Sequence, residues 1–223
     1  MITASEGRGY TRGEEIANSV IHGIGIVLAL AGLAVLMALS SRYGTAAHVV
    51  GCGVFGITLV LLYTASTLYH SIPLARSRAK AVLRALDHSA IFLLIAGTYT
   101  PFSLVNLRGP WGWTLLAVIW TLAILGIAAR VMLGRRSTAV AVGFYIAMGW
   151  AVLAVIKPLM THVAPGGVLL LAIGGLVYTA GVAFYLWRRL PYHHAIWHAF
   201  VLLGSIFHFF AILFYVIPLA GRG

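Results

Sequence analysis

The chain has 223 residues and a formal net charge of +11, yet 61% of it is hydrophobic and only 9% is charged. At a mean hydropathy of +1.00 it has too little polar surface to coat a water-soluble globule, which excludes soluble enzymes and leaves a polytopic membrane protein. The positive charge then reads as topology and contact with anionic lipid headgroups, and no nucleic-acid partner is expected.

The apolar stretches run to roughly 20 residues, the length of helix that spans a hydrocarbon core. Nothing alternates with the period of two of a membrane barrel, so the fold is expected to be all-α. In chain order the expected spans are 16–39, 47–70, 86–106, 112–133, 138–160, 167–187 and 195–218. They make one seven-helix membrane domain over residues 1–223. Breaks at Arg42 to Gly44, Pro73 to Arg84, Arg108 to Pro110, Gly134 to Arg136, Pro165 to Gly167 and Arg188 to Pro191 combine charge with turn formers.

The first span is too long for a signal-peptide core and lacks a small-residue cleavage site, so it reads as a retained helix. Glu15, Asn18 and His22 recur at i, i+3 and i+7 and share one face. A structural network to a neighbouring helix is the favoured role for them, ahead of direct catalysis. The second span holds the lone cysteine, Cys52, which excludes an intramolecular disulfide and a cysteine-based zinc cluster. It ends on Ser66 and His70, one turn apart on one face. The third span is expected to begin near Asp87, with His88 pointing about 100° away from it. Gly97, Thr98, Thr100 and Pro101 further along suit a kink or a polar cavity wall.

The seventh span opens on His194 and His198, four residues apart on one face. His208 follows about 15 Å along the helix, placed to bond across the bundle or line a cavity, with a proton route toward the metal as a second reading. His48, His162 and His193 read as interfacial or water-facing, and Tyr43, Trp111, Trp113, Trp187 and Tyr192 as interfacial anchors. Gly23, Gly25, Gly51, Gly53, Gly56, Gly174 and Gly175 suit close helix approach in lipid. No P-loop or dinucleotide fingerprint is present.

Arg8, Arg12, Arg76, Arg78, Lys80, Arg84, Arg130, Arg135, Arg136, Arg188 and Arg189 fall on one side of these spans; Arg42, Arg108, Lys157 and Arg222 fall on the other. The positive-inside rule makes the first side cytoplasmic, with the N-terminus inside and the C-terminus outside. His70, Asp87, His194 and His198 then meet at the cytoplasmic end of three different spans. Imidazoles and a carboxylate at membrane depth are costly, so they are expected to face the bundle interior and to be functional. Three histidines suit a zinc ion that keeps a fourth position for water and lowers its pKa to about 7. Asp87 could hold or deprotonate that water, and Ser66 could orient it or donate to a developing oxyanion. The competing reading has interfacial histidines that merely bond neighbouring helices.

Ser66-x-x-x-His70, Leu86-Asp87-His88-Ser89 and His194-x-x-x-His198 together resemble the signature of the hemolysin III proteins, and Glu15-x-x-Asn18-x-x-x-His22 looks like a further part of it. That family belongs to the progestin and adiponectin receptor superfamily and more distantly resembles alkaline ceramidases. The resemblance spans essentially the whole chain. It implies a seven-helix fold with zinc held by His70, His194 and His198, with Asp87 and Ser66 beside it and Glu15, Asn18, His22 and His208 supporting the site or lining its cavity. It also implies hydrolysis of lipid amides or esters, a role in membrane lipid homeostasis in a bacterial plasma membrane, and a cytolysis label. Hormone recognition is not carried over. The expected partners are membrane lipids, with a homo-oligomer left open. The alternatives are a sensor or receptor-like protein with a structural zinc, and a cytolytic pore or channel. The pore reading has thin support, because no span carries a sustained polar line from one face to the other.

Overall fold

A computed structural model describes residues 10–72, 77–133 and 138–219, and every regular element among them is helical. The helices are α1 (Arg12–Tyr43), α2 (Ala46–Ser71), α3 (Ser77–Pro101), α4 (Gly109–Leu133), α5 (Thr138–Gly149), α6 (Ile156–His162), α7 (Pro165–Leu186) and α8 (His193–Tyr215). Together they supply seven apolar spans long enough to cross a bilayer, with α5 and α6 sharing one. α1 packs between α2 and α8, α2 lies on α3, α3 on α4, and α7 on α8; α5 closes the ring against α3, α4 and α7.

α1 shows why the bundle forms as it does. Its start is set by a capping box, in which the Glu14 amide donates to the Thr11 hydroxyl at 3.2 Å and the Thr11 amide donates to the Glu14 carboxylate at 2.8 Å. The buried stripe is Asn18, His22, Gly25, Ala29, Gly32, Leu36 and Ser40. Ile16, Val20, Ile24 and Val27 are exposed on the other faces. Small and polar residues inside with aliphatic residues outside is the packing logic of a helix whose solvent is lipid. Gly25 and Gly51 lie on such close approaches: a Cβ at position 25 would sit 2.6 Å from the Tyr63 ring, and one at 51 would sit 2.7 Å from Pro101 Cα. Gly23 and Gly175 differ from expectation, since a Cβ there meets open space; their neighbours Gly25 and Gly174 hold the packed face.

Two further expectations need correction. α3 begins at Ser77, nearly three turns before Asp87. Arg78, Lys80 and Arg84 are good helix formers, so their charge marks where the apolar span ends and not where the helix ends. The fifth span is not one continuous helix: α5 stops at Gly149, a 3₁₀ stretch covers Ala151–Val155, and α6 resumes at Ile156. Pro158 contributes, because it lacks an N–H and crowds the carbonyl four residues back. The Tyr99 hydroxyl, 2.9 Å from the carbonyls of both Met148 and Gly149, also accepts from the Val152 amide at 3.0 Å, satisfying backbone groups the break would orphan. His48 is buried in the first turn of α2, where its Nδ1 accepts from the Thr45 amide at 3.0 Å and caps the helix.

Pro101 leads into a π-helical turn over Phe102–Asn106, in keeping with the expected kink. Tyr43, Trp111, Trp113, Trp187 and Tyr192 are exposed near helix ends, as interfacial anchors would be. The breaks read at Pro73 and at Gly134 to Arg136, and the basic residues Arg8, Arg76, Arg135, Arg136 and Arg222, lie outside the described residues.

Candidate metal centre

The N-terminal turns of α1 and α8, the C-terminal turn of α2 and the first half of α3 converge at one end of the bundle. Chain entry into α8 is set by Tyr192, whose backbone is left-handed at φ 57°, an unfavourable conformation for a bulky side chain. Its amide donates to Glu14 at 3.1 Å, tying the α8 entrance to the start of α1.

The helix so placed carries His194 and His198 inward to meet His70, and all three are buried. Each offers a ligand nitrogen, and the three nitrogens lie within 4.8 Å of one another. Among the described residues, His70 Nε2 and His194 Nδ1 have no hydrogen-bond partner although both are fully buried. Lone imidazole nitrogens sequestered in this way are costly unless something binds them. Three imidazole nitrogens gathered this closely could hold a metal ion, and imidazole is a preferred ligand of zinc.

The outer nitrogens of two of these rings are held. His70 Nδ1 lies 2.5 Å from Glu15 Oε2 and 3.3 Å from the Asn18 amide. His198 Nδ1 lies 3.4 Å from the Asn18 carbonyl, which can only accept, so that nitrogen is the donor. His22 stacks on His198 with ring centroids 3.6 Å apart and planes 8° from parallel. Neither of its own nitrogens has a partner among the described residues. The bridging network expected for Glu15 and Asn18 thus lands directly on two of the three clustered histidines.

A small cavity of about 30 Å³ adjoins the cluster, walled by His22, Asp87, His194 and His198 with Tyr145 and Tyr185. Asp87 is therefore on the cavity wall, outside the three-nitrogen group. His88 turns toward Asp87, its Nδ1 3.5 Å from the carboxylate and 2.8 Å from the Arg84 carbonyl, in place of pointing away. Ser66 is fully buried one turn before His70, and its hydroxyl has no partner among the described residues, not even the carbonyl four residues back.

A larger cavity of about 110 Å³ shares Leu62, Ile91, Tyr145, Val182, Trp197 and Val201 with the first. His208 lines this second space, donating from Nε2 to the Leu171 carbonyl at 3.3 Å, and so stands apart from the histidine cluster.

Two participants escaped the sequence reading. Lys80 bonds Glu15 at 2.6 Å, but among so many basic residues nothing in its spacing separates it from a topology marker. Tyr10 lies over the cluster with its ring 5.8 Å from that of His70 and 5.1 Å from that of His194. Burial pushes its phenol well up, so it stays neutral. As it precedes the first span, hydropathy carries no trace of it.

Comparison with known proteins gives consistent matches. A family profile described as Haemolysin-III related matches residues 10–209. The chain is 51% identical over 207 residues to Hemolysin-3 of Bacillus cereus, covering 93% of this chain and 94% of the relative. It is 44% identical over 208 residues to the Hemolysin-3 homolog of Bacillus subtilis (strain 168), covering 93% and 97%. To the human monocyte to macrophage differentiation factor it is 30% identical over 209 residues, covering 91% and 84%.

Proposed function

Since this chain belongs to the haemolysin-III related family, as a multi-pass membrane protein of the bacterial type, we propose that it is a zinc-dependent hydrolase of lipid amides or esters that serves membrane lipid homeostasis. The carrying observation is the buried convergence of His70, His194 and His198, with unpartnered nitrogens on His70 and His194, beside a cavity that Asp87 also lines. In this reading those three residues hold zinc, which supplies Lewis acidity at neutral pH. Asp87, through a carboxylate oxygen, takes a proton from the attacking water and returns it to the leaving amine or alcohol. The Ser66 hydroxyl donates to the carbonyl oxygen as that atom gains charge. The adjoining apolar cavity takes part of the acyl chain and keeps bulk water away from it. The basic end of the bundle faces the cytoplasm, so substrate enters from the inner leaflet.

Two observations favour a second reading, a membrane sensor in which zinc only locks the helices. A cavity of about 30 Å³ holds little more than a water molecule, and Tyr10 covers the cluster. Hydrolysis therefore requires the site to open. The name Hemolysin-3 borne by two relatives suggests a cytolytic reading, to which the structure adds no observation of its own.

The test is metal content of purified wild type and of H194A/H198A, followed on the same samples by a mass-spectrometric screen for lipid acyl hydrolysis. The expected result is about one zinc per chain in wild type, lost in the variant together with turnover. Stoichiometric zinc without turnover on any lipid class would move the assignment to the sensor. Dye release from liposomes without hydrolysis would move it to a pore, and a metal-free wild type purified with zinc present would overturn the centre itself.

A further inference from the structure

A metal-binding imidazole works through one nitrogen and is aimed through the other, so the partner of the outer nitrogen decides both tautomer and ring orientation. For His70 that partner is identifiable. Its Nδ1 lies 2.5 Å from Glu15 Oε2, and an ionised carboxylate accepts only, so the proton sits on Nδ1. The remaining lone pair is on Nε2, the buried atom with no partner among the described residues. The nearby Asn18 amide lies 3.3 Å from the same Nδ1. With Nδ1 protonated, the amide oxygen suits that contact better than its nitrogen; the two ends of an amide are assigned from such networks.

Glu15 is itself restrained. Its other oxygen accepts from Lys80 Nζ at 2.6 Å. Lys80 Nζ also donates to the Ile72 carbonyl at 3.1 Å and lies 5.2 Å from the centre of the Tyr69 ring. The carboxylate therefore has one oxygen on α2 and one on α3, and its charge is matched by an ammonium at a half-buried position where an isolated charge would be costly. A carboxylate serving only to join helices would have no need to meet the ring whose opposite nitrogen faces the cluster.

We infer that Glu15 is a positioning residue for His70, presenting its Nε2 to the metal, and that Lys80 holds Glu15 in place. The inference rests on the metal reading of the centre given above. It makes metal affinity depend on a contact from the first turns of α3, a helix that supplies none of the three clustered nitrogens. Asp87, an α3 residue on the cavity wall, lies about two turns beyond Lys80 and is not needed for this effect.

The test uses full-length wild type, E15Q, K80M and E15Q/K80M in detergent, stripped of metal and titrated with Zn²⁺ against a chromophoric chelator. Absorption spectra of the Co²⁺-loaded proteins and thermal melts of the metal-free proteins accompany it. E15Q is expected to weaken Zn²⁺ binding about 10–100-fold and to alter the Co²⁺ ligand-field bands. K80M is expected to weaken it less, and the double variant is expected to be no weaker than E15Q, because Lys80 acts through Glu15. Should E15Q not be recovered folded, the affinity and Co²⁺ spectrum of K80M decide. Unchanged affinity and spectrum in E15Q, with only a lower melting temperature of the metal-free protein, would overturn the positioning role and leave a structural one. Strictly additive effects in the double variant would overturn the part given to Lys80. A wild type that binds no Zn²⁺ would instead sink the metal reading beneath both.

Discussion

At the scale of single residues, the site separates groups that would hold a metal from groups that would act on substrate. Asp87 is on the cavity wall but outside the three-nitrogen cluster, and Ser66 keeps an unpartnered hydroxyl one turn from His70. D87N is therefore expected to retain zinc while lowering turnover about 10²–10⁴-fold, the range for loss of a general acid–base. S66A is expected to retain zinc and lower turnover about 10²–10³-fold, as for loss of one oxyanion donor. Metal analysis and lipid hydrolysis on the same preparations check both, and loss of zinc in D87N would place Asp87 among the ligands instead. The donor residues were legible because His194 and His198 are a local i, i+4 pair and because any histidine at membrane depth stands out. The capping role of His48 was not legible in the same way, because its contact with Thr45 at the start of α2 is one that hydropathy does not register.

At the scale of elements, all seven expected spans have counterparts in the structure, but two differ in form. The α3 start was misplaced because hydropathy reports the lipid boundary while helix propensity carries the coil further into Arg78–Arg84. The break between α5 and α6 was hidden because its stabilising partner, Tyr99, lies some 50 residues earlier in the chain. Removing that hydroxyl leaves two backbone carbonyls and the Val152 amide without their partner. Y99F is thus expected to cost about 1–3 kcal/mol, measured as a lower melting temperature in detergent with zinc content unchanged. A neutral effect would mean that the break is held by Pro158 and its surroundings alone.

At the scale of the whole molecule, the ring of helices brings four chain segments to one end, the end that also carries Arg12, Arg78, Lys80, Arg84, Arg188 and Arg189. Charge bias predicts that this end is cytoplasmic. In a Cys52→Ser background, R108C is expected to react with a membrane-impermeant maleimide on intact cells, and R188C only after lysis. The reverse pattern would place the metal centre on the outer side. Composition alone determined that the chain lives in a bilayer, since so apolar a sequence has no soluble fold available to it. Span count and the candidate nitrogen donors also came from the sequence, because length, hydropathy and i, i+4 spacing are properties of neighbouring residues. Only the tertiary structure decided that Glu15 meets His70 and Lys80, that His22 stacks on His198, that Tyr10 covers the cluster and that an apolar cavity adjoins it. Those contacts join residues far apart in the chain, and they depend on the rotation and depth at which whole helices pack, which no local pattern encodes.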